Sequence, residues 1–154
     1  MQKIALLCIG SLREQWAKEA AKMYADRLQY AFDLRITELV PSHQPNASGQ
    51  KVEESERLLV SAEKAGGTLW VLDETGKQLT SRAFTDDIET LRDSGEPITF
   101  ILGGSYGLTD NVRTAAKKVI SLSSMTLPHE LCRVVFLEQL YRASEILKGS
   151  GYHH

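Results

Sequence analysis

The sequence predicts an α/β domain: a mostly parallel sheet with helices on both faces. Three observations predict it. Short apolar runs rich in strand-forming residues recur at 2–9, 33–40, 68–73, 98–102 and 119–122. Longer stretches between most of them carry apolar residues at helical spacing. Strand and helix alternate, the pattern of parallel strands joined by helical crossovers. The 154 residues suit one domain, 1–154, and no repeat, low-complexity run or linker divides them.

The first run, 2–9, ends in Gly10-Ser11 and reads as a buried strand and turn. Residues 12–30 place Leu12, Trp16, Ala20, Met23 and Tyr24 at helical spacing, so Trp16 and Met23 are expected in the core. Residues 33–40 alternate through Leu34, Ile36 and Leu39 as a strand. A polar loop at 41–49 with two prolines and His43 is expected to be the most mobile segment. A charged helix at 50–65 stops at Gly66-Gly67. The strand at 68–73 runs into Asp73-Glu74-Thr75-Gly76, read as a turn. A helix at 81–93, capped by Thr80 or Ser81, packs through Phe84, Ile88 and Leu91. The apolar strand 98–102 runs straight into Gly103-Gly104-Ser105-Tyr106-Gly107. A short helix near 110–117 and a short strand near 119–122 follow. An uncharged loop then leads through Pro128 into a long helix ending near Lys148.

At 42% hydrophobic and 25% charged residues the chain has the composition of a soluble protein able to bury a core. No apolar run reaches the ~18 residues of a membrane span. The apolar start is too short and strand-like for a signal peptide, so a cytoplasmic location is expected. Cys8 and Cys132 stand far apart and read as buried thiols. A net charge of −2 does not mark a nucleic-acid binder, although residues 110–154 hold six Lys/Arg against four acids.

In parallel sheets, ligands sit beyond the carboxyl ends of strands. Three ends qualify: Leu72-Asp73, Leu102-Gly103-Gly104 and Leu122-Ser123. The glycine stretch is not a dinucleotide fingerprint, because Leu102 stands at its first position and no acid follows about 20 residues on. No phosphate-binding G-x-x-x-x-G-K-[ST] occurs, and the histidines and cysteines lack metal-ligand spacing. Gly103-x-Ser105-x-Gly107 does match the bare nucleophile-elbow pattern of hydrolases, with Asp110 or Glu130 and His153 as partners in chain order. The last helix carries two apolar stripes, Phe136/Leu140/Ala143/Leu147 and Leu131/Val134/Val135/Tyr141. A helix apolar around most of its girth is either central in a core or shared between subunits, and as the last helix this one suits a homodimer face, near which Arg133 and Arg142 would then sit. Arg142 has Glu138 and Glu145 as helical neighbours.

LGGSYG at 102–107, SLSSMTLPHEL at 121–131, EQLYRA at 138–143 and GYHH at 151–154 resemble the RlmH family. These are SPOUT-class methyltransferases of bacterial large-subunit (23S) rRNA. The likeness runs the whole chain, including LDE at 72–74. It implies an α/β fold with a C-terminal trefoil knot, a rare exception to the usual connection rules. It also implies a homodimer, and S-adenosyl-L-methionine (SAM) as methyl donor with no metal. The implied reaction is methylation of N3 of a pseudouridine in the assembled ribosome. The cofactor contacts it carries over are Leu72, Gly103, Leu122, Ser123, Ser124, Met125, Thr126 and Leu127. Arg142, Tyr152 and His153 are expected to face the target base. The tail departs from the common family pattern: Gly151 stands for a proline, and His154 for a basic residue.

Overall fold

The computed structural model describes all 154 residues. Five strands form one sheet in the order β2-β1-β4-β3-β5, every pair parallel. The strands are β1 (Gln2–Ile9), β2 (Phe32–Leu39), β3 (Thr68–Gln78), β4 (Ile98–Leu102) and β5 (Lys118–Ser121). The helices are α1 (Gln15–Leu28), α2 (Ala47–Ala65), α3 (Ser81–Asp93), α4 (Asp110–Ala115) and α5 (His129–Lys148). Alternate strand residues point to opposite faces. Ile4, Leu6 and Cys8 therefore join a core with α1, α3 and α5. Leu7 and Ile9 join a second core with α2 and α4. On the first face Trp70, Phe84, Phe100 and Phe136 pack as tilted and edge-on rings, with Phe100 and Phe136 centroids 4.7 Å apart. No helix is long and apolar enough to cross a membrane.

Several sequence expectations change. Trp16 and Met23 are not core residues: they are 49% and 40% exposed. The residues α1 buries are Ala17, Ala21 and Leu28. Small alanines let α1 lie close to its neighbours, which rotates the bulkier apolar residues outward. Arg133 does not sit at a boundary either. It is buried inside the chain, pairing with Glu38 and donating to the Gly10 carbonyl at 2.8 Å. It thus ties α5 to the ends of β1 and β2.

The turn expected at 73–76 is an excursion within β3. Leu72 and Lys77 both pair with Ile120, so the ladder pauses for four residues and resumes opposite the same partner. Asp73 stabilises the excursion by accepting from the Thr75 amide at 3.1 Å. Gly76 is needed because a Cβ there would lie 2.6 Å from the Val119 carbonyl.

The loop before α2 is pinned. Ser42 is buried, and its amide donates to the buried Glu54 carboxylate at 3.0 Å. Asn46 caps α2 by accepting from the Gly49 amide, so the helix starts three residues earlier than the spacing predicts.

Candidate functional site

The carboxyl ends of β4 and β5 and the β3 excursion enclose a cleft of about 630 Å³. Each wall follows from local sequence. Thr80 caps α3 by accepting from the Ala83 amide at 3.0 Å, which fixes the chain just after β3. Beyond β4, Gly104 and Gly107 bridge to each other, with Gly107 at φ 79°. A side chain at Gly103 would meet Leu108 at 2.8 Å, and one at Gly104 would meet the Glu54 carboxylate at 2.8 Å. Small residues are therefore required there by close packing. α2 holds this turn from below, with the Ser55 hydroxyl accepting from the Thr109 amide at 3.1 Å.

Seven of the eight cofactor positions carried over by resemblance line the cleft: Leu72, Gly103, Leu122, Ser123, Met125, Thr126 and Leu127. Ser124 lies in the same loop but is not part of the lining. Leu72 and Leu102 at the cleft floor are buried, and Leu108 supports the turn. In the loop after β5 the Met125 amide donates to Ser123 Oγ at 3.0 Å. The amides of Ser124, Thr126 and Leu127 have no acceptor within the chain. An apolar floor with free amides at its edge suits a planar heteroaromatic ring that carries acceptors. The donors and shape therefore fit the adenosine part of SAM.

Among the cleft residues, sequence reasoning points to Ser105 and Thr126 but misses Glu74, His129 and Cys132 as parts of the site. Ser105 Oγ lies 3.4 Å from His129 Nδ1, at the first residue of α5. The Thr126 hydroxyl donates to Glu74 at 3.3 Å, crossing from the β5 loop to the β3 excursion. Half-buried Cys132 forms part of the wall, and burial and then the Glu74 charge push its thiol pKa up. The LDE and TLPH strings contain Glu74 and His129, but nothing in their spacing pairs them with Thr126 and Ser105. The hydrolase triad is not assembled. Asp110 pairs with Arg113, Glu130 accepts from the Arg13 and Glu14 amides, and His153 lies against Arg142. No group of three or more His, Cys, Asp or Glu side chains converges as a metal site.

Arg142, Tyr152 and His153 are brought together, but not in the cleft. The tail folds back along α5 after Gly149 ends the helix at φ 69° and Gly151 turns it at φ 77°. Arg142 donates from Nε and Nη2 to Glu138 Oε1 at 3.0 and 2.6 Å. Its guanidinium lies 4.8 Å from the Tyr152 ring centroid. Tyr152 donates to the same Glu138 oxygen at 3.3 Å, and Arg142 Nη1 lies 3.3 Å from His153 Nδ1. Glu138 is thus the hub that the sequence left as one of two options, Glu145 being taken by Lys148. Its hydrogen bonds hold the Arg142 pKa above the ordinary value. Burial, and then the Glu138 charge, raise the Tyr152 phenol, which stays protonated at neutral pH. A guanidinium N–H aimed at His153 Nδ1 needs a lone pair there, which puts the ring proton on Nε2. Glu138 also accepts from Gln139 at 2.6 Å, and Gln139 accepts from Ser81 at 2.6 Å. This relay borders a second cavity of about 250 Å³ that shares Leu72 and Leu122 with the cleft.

A family model described as Predicted SPOUT methyltransferase matches residues 2–153. The Ribosomal RNA large subunit methyltransferase H of Trichlorobacter lovleyi is 39% identical over 153 residues, covering 99% of each chain. The protein of the same name from Maridesulfovibrio salexigens is 38% identical over 157 residues, covering 100% of this chain and 99% of the relative. A probable methylase family protein from Haemophilus influenzae Rd KW20 has a TM-score of 0.58 at 10% identity, covering 98% of this chain and 70% of that one. A probable methyltransferase from Bordetella pertussis Tohama I has a TM-score of 0.55 at 13% identity, covering 93% and 96%. At such identities the two structures show a shared fold alone.

Proposed function

Because this chain belongs to the SPOUT methyltransferase family, among the ribosomal RNA large subunit methyltransferase H proteins, we propose that it methylates N3 of a pseudouridine in 23S rRNA. The methyl donor is SAM, the substrate is the assembled ribosome, the acting species is a homodimer, and the compartment is the cytoplasm. The C-terminal passage around the cleft is the trefoil knot. The observation that carries the reading is the cleft itself. Seven positions expected from the resemblance converge on one apolar pocket, beside unpaired amides.

When bound, SAM supplies a methyl group on a sulfonium, which leaves as a neutral thioether. The chain must do the rest. N3 of the target is an imide nitrogen whose proton must be lost as the new N–C bond forms. Arg142 is held cationic by Glu138 and stabilises the negative charge that develops on the imide. The imide proton passes to water. Tyr152 remains a phenol and His153 presents Nε2–H, so both orient the base as donors.

The tail cluster does not reach the cleft of its own chain, which supports a site completed by a second copy. The partly exposed apolar stripe of α5, Leu131/Val134/Val135/Tyr141, and the exposed Trp16 and Met23 of α1 are the surface for it. With a chain charge of −2, recognition rests on ribosome shape more than on charge alone.

The test is transfer of labelled methyl from SAM to ribosomes, subunits and free rRNA from a strain lacking the modification. Incorporation at one pseudouridine N3, strongest on ribosomes, is expected. No incorporation into any of the three substrates overturns the reading.

A further inference from the structure

The cleft is apolar at its floor but not at its mouth. Three lining side chains there can carry charge: Asp73, Glu74 and His129. Asp73 is already engaged, 3.6 Å from the Arg113 guanidinium and accepting from Thr75. Glu74 is exposed, and its one hydrogen bond is from Thr126, a neutral hydroxyl on the opposite wall. Its charge nevertheless acts inward, since it raises the Cys132 thiol in the cleft wall. His129 is exposed at the start of α5, with Ser105 beside Nδ1. In the tautomer where the Ser105 hydroxyl donates to Nδ1, Nε2 carries the ring N–H and is left as a donor. The mouth therefore offers one uncompensated carboxylate and one oriented imidazole N–H, on two different walls.

A ligand that satisfies both carries an ammonium and a carboxylate on a short flexible arm, with its apolar part on the floor. We infer that Glu74 and His129 are specificity-determining residues that grip the amino-acid arm of SAM. Glu74 takes the α-ammonium, and His129, oriented by Ser105, takes the α-carboxylate. The inference rests on the SAM reading above and deepens it: the carried-over positions account for the adenosine, and these two residues account for the zwitterion. Glu74 gives up its Thr126 contact when the arm enters.

Calorimetry with two ligands separates the possibilities. SAM carries the arm, whereas 5′-methylthioadenosine keeps the adenosine and lacks it. The intact chain is compared with Glu74→Gln and His129→Phe. Glu74→Gln keeps an acceptor for Thr126, and His129→Phe keeps the ring shape. Each variant is expected to bind SAM about tenfold more weakly, the scale of a hydrogen bond to a charged group, with methylthioadenosine affinity unchanged. Ser105→Ala is expected to show the same selectivity change at a few-fold. SAM affinity unchanged in both variants, or both ligands weakening in parallel, overturns the inference while leaving the SAM reading standing. An intact chain that binds neither ligand overturns both.

Discussion

The cleft and the tail cluster are built on opposite plans. The cleft is made of strand-end loops, and its floor is backbone and leucine. Its shape is set by close approaches at Gly103, Gly104 and Gly76. The tail cluster is made of side chains on one helix and the last residues, held through a single carboxylate, Glu138. The first is assembled from three strand ends within one chain. The second is preformed but stands apart from it. On the proposed assignment of cofactor to the cleft and target base to the tail, binding and chemistry are separable by mutation.

The strongest test of that separation is removal of residues 150–154. Methyl transfer is expected to be lost, with SAM affinity within about twofold by calorimetry; a comparable loss of SAM binding would break the distinction. Arg142→Ala comes next, with methyl transfer slowed about 10²–10³-fold, the scale for removing a charge-stabilising donor. Mixing it with a chain carrying a damaged cleft should restore part of the activity if one copy's tail serves the other's cleft. On the cleft side, Gly103→Ala puts a Cβ 2.8 Å from Leu108. It should weaken SAM by about tenfold and lower the melting temperature by a few degrees, scaled from overpacking costs of about 1–3 kcal/mol.

Gly151→Ala is milder. A non-glycine residue at φ 77° costs about 1 kcal/mol, so transfer should fall about fivefold with SAM affinity intact. Gly151→Pro cannot adopt that φ at all and should resemble the truncation. The tail of this chain thus turns in a way that a proline at 151 would forbid.

The smallest effect is on acid stability. Glu130 is held below the usual carboxylate range, chiefly by the Arg13 amide. Its contribution is present above the ordinary carboxylate pKa and is lost as pH falls through the lowered value. In thermal melts across pH, Glu130→Gln should be slightly less stable at neutral pH, and its gap to the intact chain should close in acid.

The sheet and the cleft walls were largely legible because both depend on local pattern. Apolar runs mark β1, β3 and β4, and small residues after Leu102 and Leu122 mark the ends where a ligand can approach. What was hidden depends on partners brought from afar. Glu54 reads as one more charge on a polar helix until the Ser42 amide, twelve residues back, is seen to satisfy it. Arg133 reads as a residue near a subunit boundary until Glu38 and Gly10 close on it. The phase of α1 escapes the sequence for another reason. Spacing weights large residues, whereas the buried face is chosen by how closely the helix can approach, and alanines allow the closest approach. Ser105 reads as part of a nucleophile pattern, but its neighbour is His129 and not His153, because the tail turns away along α5.

The excursion in β3 separates inheritance of the fold from adaptation of the pocket. Since Leu72 and Lys77 meet the same partner, Ile120, the four residues between them carry no obligation to the ladder. Trp70 and Val71, buried just upstream, need not repack when Glu74 or Thr75 changes. A lineage could therefore retune what the mouth of the cleft accepts at 74 and 75, with Asp73 held by its bond to the Thr75 amide and Gly76 by its neighbour. The strand acts as a frame, and the excursion as a panel that can be exchanged without dismantling it.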